Sequence, residues 1–119
     1  MLVRVKDDLG VRNAFGSALR RIRRDKDITL QDASNHMSRV RQEVYHLESG
    51  VYRFKPGQLG RFAVFLEVPL CDLANFSLEL DRLSLFHELG LYNINEAKQK
   101  MEQAVETFHQ NYLGQRRAA

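Results

Sequence analysis

The sequence predicts an all-α protein, with a five-helix domain followed by a C-terminal helical extension. Apolar residues recur at steps of three and four along nearly the whole chain, which is the period of an amphipathic helix. Strict alternation of polar and apolar residues is nearly absent, and β-branched residues are sparse. With 119 residues, the chain is long enough to bury one core without a disulfide or a structural metal.

The first helix is predicted to follow a short N-terminal arm at residues 1–12. Asn13 is a good N-cap residue, and the run after it places Phe15, Leu19 and Ile22 on one face. Several arginines occupy the other faces, so we expect this helix to be strongly basic on its solvent side.

Two short helices with almost no linker between them are predicted next. Thr29 is a suitable cap for a second helix that runs to about Met37. A third helix extends from Arg41 to about Ser49, and Gly50 stands where a left-handed C-cap is needed.

Prolines mark the starts of the following helices. Pro56 is predicted in the first turn of a fourth helix, and Pro69 opens a fifth that continues toward Leu85. The last helix extends from about Asn95 to Leu113 and carries two interleaved apolar series, so it requires a partner to pack against.

Charge is distributed unevenly along the chain. Residues 1–55 hold 12 Lys and Arg against 7 Asp and Glu, whereas residues 56–119 hold 6 against 8. A basic front half is typical of a protein that meets a polyanion. The distribution predicts that one face of the protein meets a polyanion while the other face has a different role.

Several classes of function find no support in the sequence. The single Cys71 cannot form an intramolecular bridge, and the chain has neither a signal-peptide pattern nor a membrane-length apolar run, so a cytoplasmic setting is expected. No glycine-rich phosphate loop and no serine elbow are present, so neither catalysis nor a cofactor is expected. Metal binding is not expected either, because the histidines share no ligand spacing: His36, His87 and His109.

The region from Phe15 to Leu73 resembles the lambda-repressor and Cro-like helix-turn-helix family, also called the xenobiotic-response-element type. The matching segments are FGSALRRIRRDKDIT, TLQDASNHM, VYHLESG and LGRFAVFLEVPLCDL. The resemblance implies a transcriptional regulator whose second short helix enters the major groove of DNA. It also implies a structural ion pair between Arg23 and Glu48, which would pin the first helix to the end of the recognition helix.

The chain departs from the family pattern around the turn between the two short helices. Leu30 stands where the family usually has glutamine, and the turn reads Ser38, Arg39, Val40 instead of glycine, an aliphatic residue and serine. Serine tolerates a left-handed turn less easily than glycine. We expect Val40 to turn inward in place of the aliphatic residue, with Ser38 as the cap.

The resemblance assigns roles to polar side chains on and around the third helix. Arginine, glutamine, glutamate and histidine side chains can address base edges. The expected base contacts are Arg41, Gln42, Glu43 and His46. The expected phosphate contacts are Thr29, Gln31, Arg39, Tyr45, Arg53 and Lys55.

The outer face of the fourth helix predicts a covering partner. Val64 and Phe65 stand where the family usually has polar residues or alanine, and an exposed phenylalanine needs cover. The cover is either a second subunit or the C-terminal helix of the same chain. For a second subunit, the expected dimerisation residues are Val64, Phe65, Leu85, Met101, Val105, Phe108 and Tyr112.

The sequence therefore predicts a homodimeric, sequence-specific DNA-binding regulator, most simply a repressor that binds a palindromic operator. Its predicted parts are a helix-turn-helix DNA-binding domain at 13–75 and a C-terminal helical dimerisation extension at 76–119. A second hypothesis is an antitoxin that autoregulates its operon and neutralises a toxin through its C-terminal helices. A third is a protein-interaction or RNA-binding adaptor that reuses the fold. A folded, self-associating back half favours the regulator, and a back half that needs another protein to fold favours the antitoxin.

Overall fold

A computed structural model of the protein describes residues 9–113. All regular structure within these residues is helical, as predicted. The six helices are α1 (Val11–Asp25), α2 (Leu30–Met37), α3 (Arg41–Glu48), α4 (Pro56–Leu66), α5 (Leu70–Glu88) and α6 (Ile94–Leu113). Most of the predicted N-terminal arm and the end of the chain, residues 1–8 and 114–119, lie outside the described residues.

Local capping signals fix most helix starts where the sequence predicts them. Thr29 caps α2, since its Oγ1 accepts a hydrogen bond from the Asp32 amide at 3.1 Å. The Asp32 carboxylate in turn accepts from the Thr29 amide at 3.1 Å, which completes a capping box. Pro56 is the first residue of α4, and Pro69 directly precedes α5.

The start of α1 differs from the prediction. The helix begins at Val11 after a left-handed Gly10, and Asn13 lies inside the helix and does not cap it. The Asn13 side chain instead donates from Nδ2 to the Ser49 carbonyl at 3.1 Å, so it joins α1 to the end of α3. The Asn13 side chain, which the local pattern assigned to a cap, thus forms a long-range hydrogen bond to Ser49.

All six helices contribute buried side chains to one core. Leu19, Ile22 and Val44 are almost fully buried in it. Aromatic rings continue the core toward α4, because Phe54 packs edge-on against both Phe15 at 5.5 Å and Phe62 at 5.0 Å between ring centroids. Each such buried side chain stabilises the fold by about 1.5–3 kcal/mol relative to its exposed state.

The fifth helix passes without a break through position 75/76, where the sequence suggested a domain boundary. The last helix, α6, then folds back onto α5 and α1. Phe108 of α6 stacks on Phe76 of α5 with ring centroids 4.1 Å apart. The C-terminal helix therefore completes the core that the first five helices begin.

Two of the predicted dimerisation residues are buried by this packing. Phe108 and Tyr112 are each only 6% exposed, and the Tyr112 hydroxyl donates to the Asp72 carboxylate of α5. Burial and the Asp72 carboxylate raise the pKa of the Tyr112 phenol, so the hydroxyl keeps its proton. These two side chains are therefore buried against α5 of their own chain and are not exposed for a dimer interface.

His109 attaches α6 to α1. Its Nδ1 lies 2.8 Å from Nη1 of Arg21, and its Nε2 lies 3.3 Å from the Ala18 carbonyl oxygen. A guanidinium can only donate, so Nδ1 accepts and the proton is on Nε2, which donates to Ala18. Burial first, and then the Arg21 charge, lower the pKa of His109 and favour the neutral imidazole.

No helix among residues 9–113 combines the length and apolar character needed to cross a membrane.

Candidate nucleic-acid interface

The C-terminal end of α3 is fixed to α1 by a buried ion pair. Arg23 Nε donates to one Glu48 carboxylate oxygen at 2.7 Å, and Arg23 Nη2 donates to the other at 2.9 Å. Both side chains are nearly inaccessible to solvent. Arg23 Nη1 also donates to the Ile28 carbonyl at 2.7 Å. The pair implied by the family resemblance is therefore present, and its bidentate geometry fixes both the distance and the angle between the helices.

Two glycines allow the backbones to approach closely at the same place. A Cβ atom on Gly16 of α1 would lie 2.4 Å from the Glu48 carbonyl oxygen and 2.6 Å from that of Leu47. A Cβ atom on Gly50 would lie 2.5 Å from the backbone nitrogen of Asn13, and Gly50 has a φ of +82°. The end of α3 thus rests directly on the backbone of α1.

Helix α2, which precedes α3, is joined to α4 by hydrogen bonds and a ring contact. Nε2 of His36 donates to the Arg61 carbonyl at 3.1 Å, and Arg61 Nη1 donates to the Met37 carbonyl at 3.2 Å. The His36 ring also stacks on Phe65, with centroids 4.6 Å apart and planes 14° from parallel. Phe65, which the sequence assigned to a dimer interface, is therefore partly covered by α2 of the same chain.

The turn into α3 is less well supported than the end of the helix. Ser38 ends α2 in a left-handed conformation, with φ 53° and ψ 42°. Val40 occupies the N-cap position of α3 in an extended conformation, provides no side-chain cap and is 63% exposed. The expectation that Val40 turns inward with Ser38 as the cap is wrong, because the left-handed Ser38 directs the chain so that Val40 faces solvent.

The outer face of α3 is polar and accessible. Val44 and Leu47 are buried, whereas Arg41, Gln42 and Glu43 are exposed. Gln42 and His46, four residues apart, lie on the helical line opposite Val44. Gln42 and His46 therefore share one line of the helix, whereas Arg41 and Glu43 flank it on either side. Glu43 also forms an ion pair with Arg39 at 3.8 Å.

His46 differs from the other three base-contact candidates because aromatic rings surround it. The ring centroid of Tyr45 lies 6.1 Å from that of His46, and the centroid of Tyr52 lies 5.6 Å away in an edge-on arrangement. Both tyrosines are about half exposed, at 51% and 49%. Tyr52 was missed by the sequence reasoning, because it belongs to the loop after α3 and its position depends on the turn at Gly50.

The candidates for phosphate contact differ in whether their side chains already have a partner within the protein. The Thr29 hydroxyl is occupied in the α2 cap, and the exposed Gln31 donates from Nε2 to Asn35 at 2.9 Å. Arg53 forms an ion pair with Asp81 of α5, a contact that the sequence did not predict. Lys55 is exposed at the start of α4, where its backbone amide donates to Gln58 at 2.9 Å.

Large apolar side chains are exposed from the middle of α5 to the start of α6. Of the predicted dimerisation residues, Leu85 is 50% exposed there, Met101 and Val105 are half-buried against the core, and Val64 is 72% exposed on α4. We call this exposed group, from the middle of α5 to the start of α6, the leucine surface. It consists of Leu78, Leu85, Leu89, Leu91 and Ile94.

Within residues 9–113, no group of three or more His, Cys, Asp and Glu side chains is placed to hold a metal ion. Comparisons with profiles of protein families, with curated proteins and with solved structures find no match to this chain.

Proposed function

We propose that the protein is a sequence-specific regulator that binds double-stranded DNA, of the lambda-repressor and Cro-like helix-turn-helix type, and most simply a repressor. The single observation that carries the proposal is the environment of α3. Its C-terminal end is fixed by the buried Arg23–Glu48 pair, and its first turns present exposed polar side chains. A rigidly held helix with a free polar face is what major-groove readout requires.

The side chains on this face have the hydrogen-bonding groups that base edges need. Arg41 can donate to guanine O6 and N7, and Gln42 can pair with adenine N6 and N7. Glu43 can accept from cytosine N4, and His46 can offer a ring nitrogen. Each bidentate contact contributes about 1–3 kcal/mol of discrimination between base pairs.

Basic residues around α3 supply the contacts that position the domain on the DNA backbone. Arg39, Arg53 and Lys55 flank the helix on both sides in the chain and are exposed. If a dimer neutralises about six phosphates, a plot of the logarithm of the affinity against the logarithm of the salt concentration should have a slope of about −5. Arg53 must exchange the Asp81 carboxylate for a phosphate to take part.

The proposed homodimer uses the leucine surface. Its apolar side chains are more than a third exposed at every position, and exposed charges of both signs lie near them in the chain: Arg82 and Lys98, with Glu79, Glu88 and Glu96. Charges of both signs allow two copies to meet with opposite charges paired. Apolar patches on the order of several hundred Å² commonly mark protein interfaces. A palindromic operator with half-sites one turn of DNA apart requires a two-fold dimer that holds its two copies of α3 about 34 Å apart.

The packed C-terminal half supports the regulator over the antitoxin. In the described residues α6 is buried against α1 and α5 of its own chain, through Phe108 and His109. An antitoxin of the kind considered would need those groups for its toxin.

Selection of bound duplexes from a random DNA pool at physiological salt tests the proposed function. We expect one palindromic motif to be enriched, and Gln42→Ala to weaken its binding about tenfold or more with little change in melting temperature. The matched control is Gln103→Ala, because Gln103 is an exposed glutamine on α6. A pool that shows no enriched motif, or equal losses in the two variants, would refute the proposal.

Sedimentation at several protein concentrations tests the dimer separately. Leu85→Glu and Leu89→Glu are expected to shift the protein to a monomer, since each buries a charge at the interface. Leu70→Glu is the control, because Leu70 is 51% exposed at the opposite end of α5. If both leucine-surface variants sediment like the control, the interface lies elsewhere.

A further inference from the structure

The loop after α3 contains a residue that acts on the recognition surface without belonging to the helix. We propose that Tyr52 is a positioning residue for sequence recognition, which holds the His46 ring in one orientation toward the DNA bases. The inference rests on the proposed function and deepens it, because it names a determinant of specificity outside α3.

His46 is less exposed than Gln42, although both lie on the side of α3 opposite the buried Val44. His46 is the nearer of the two to the buried Leu47, and two aromatic rings also lie beside it, Tyr52 from the loop and Tyr45 from the helix. The His46 side chain therefore contacts two rings and remains partly accessible.

The geometry of the ring contact favours one orientation of the imidazole. The planes of His46 and Tyr52 are 69° apart with centroids at 5.6 Å, which is the edge-on arrangement that aromatic pairs prefer. Rotation of the imidazole would lose this contact. A neutral imidazole has one donor nitrogen and one acceptor nitrogen, so the orientation of the ring decides which of them meets a base.

The position of Tyr52 is itself fixed by the rigid end of α3. The chain turns back through Gly50, whose positive φ and contact with Asn13 leave no room for a side chain. The Val51 amide then donates to the His46 carbonyl at 2.9 Å, which places the next residue beside the last turn of α3. The support that holds α3 thus also holds the ring that confines His46, so the ring is ordered before DNA binds.

The experiment compares Tyr52→Phe, Tyr52→Ala and His46→Ala on the selected duplex and on every single-base-pair change of it. His46→Ala should lose discrimination at one base pair of each half-site. Tyr52→Ala should lose about three- to tenfold of the discrimination at that same base pair, the range that an edge-on ring contact is worth. Tyr52→Phe keeps the ring and should behave like the unchanged protein.

Two further measurements separate positioning from other roles of Tyr52. The double variant His46→Ala with Tyr52→Ala should discriminate no worse than His46→Ala alone, since Tyr52 acts through His46. Affinity for a random duplex should stay within about twofold in Tyr52→Ala, whereas loss of a phosphate contact would weaken all sequences alike.

Each other outcome overturns the inference in a recognisable way. A uniform loss shared by Tyr52→Ala and Tyr52→Phe would make the hydroxyl a phosphate contact, and a uniform loss in Tyr52→Ala alone would make the ring a general support of α3. Unchanged discrimination in Tyr52→Ala would leave the ring without a role in recognition. Tighter binding to single-stranded DNA than to duplex would mean that the tyrosine rings stack on unpaired bases. Failure of the unchanged protein to enrich any motif would instead refute the proposed function.

Discussion

The two ends of α3 are built in opposite ways. At its C-terminal end, the Arg23–Glu48 pair, two close glycine contacts and the Asn13 bond to Ser49 join the helix to α1. At its N-terminal end, Val40 is exposed and provides no side-chain cap, and the turn before it contains a left-handed serine. The helix is therefore anchored at one end and presented at the other.

This difference separates stability from recognition. Residues at the fixed end are buried and determine where the helix points, so changes there should lower the stability of the whole protein. Residues at the presented end are exposed and, under the proposed function, meet the DNA, so changes there should leave stability nearly intact. The following predictions test that division, from the largest expected effect to the smallest.

The largest effect is expected from breaking the buried ion pair. Glu48→Ala leaves the Arg23 guanidinium buried without its carboxylate, which should lower the free energy of unfolding by about 3–5 kcal/mol. Glu43→Ala is the matched control at the presented end, because its pair with Arg39 is half exposed and should be worth about 0.5 kcal/mol or less. Urea denaturation measures both. Equal losses would abolish the distinction between the two ends.

Gly16→Ala should be the next most damaging change. Its Cβ would meet the backbone carbonyls of Leu47 and Glu48, which cannot rotate away, so α1 and α3 must separate at a cost of about 2–3 kcal/mol. Gly60→Ala is the control, since Gly60 lies inside α4 with nothing within 4 Å of its Cβ position. That change should raise stability by about 0.5–1 kcal/mol. A tolerated Gly16→Ala would show that the close approach does not fix α3.

Ser38→Gly should stabilise the protein. The left-handed conformation of Ser38 costs about 1–2 kcal/mol for a residue with a Cβ, and glycine removes that cost while adding freedom to the unfolded chain. A net gain of about 0.5–1 kcal/mol is expected. Ser17→Gly, at an exposed position inside α1, should instead destabilise by about 0.5 kcal/mol. Thermal melts of the two variants should therefore move in opposite directions.

The smallest effect on stability at neutral pH is expected from His109, which attaches α6 to α1. Its pKa is lowered in the folded state by burial and by Arg21, with Glu106 as the opposing charge. Well above pH 6.5 the imidazole is neutral in both the folded and the unfolded chain. As the pH falls through 6.5, the imidazole becomes protonated in the unfolded chain but stays neutral in the folded chain. The free energy of unfolding therefore decreases until the pH reaches the lowered pKa of the folded state.

His109→Gln should flatten this pH dependence, because an amide can accept from Arg21 and donate to the Ala18 carbonyl without titrating. Denaturation midpoints between pH 7 and pH 5 measure the slope. Parallel curves for the two proteins would exclude His109 as the group responsible.

Sequence patterns predicted the features of this fold that are determined locally. Thr29, Pro56 and Pro69 mark helix starts because a cap or a fixed φ acts within one turn. The Arg23–Glu48 pair was implied only by family resemblance, since no local rule joins residues 25 positions apart.

Features that depend on tertiary packing were harder to predict. The apolar face of α6 requires a partner but does not indicate whether that partner is the same chain, and Phe108 and Tyr112 are in fact buried in their own core. Likewise Tyr52 reaches His46 only because Gly50 reverses the chain. Periodicity records which residues are apolar and says nothing about what covers them.

The most direct test of the account is an amide NMR titration of the protein with its selected duplex. If α3 is the presented element, the largest shifts should fall on residues 39–46, with smaller ones at 29–31 and 52–55, while α6 changes little beyond any effect of dimer formation. Shifts centred on α5 and α6 with residues 39–46 unmoved would contradict the account, because DNA would then be bound by the opposite side of the protein.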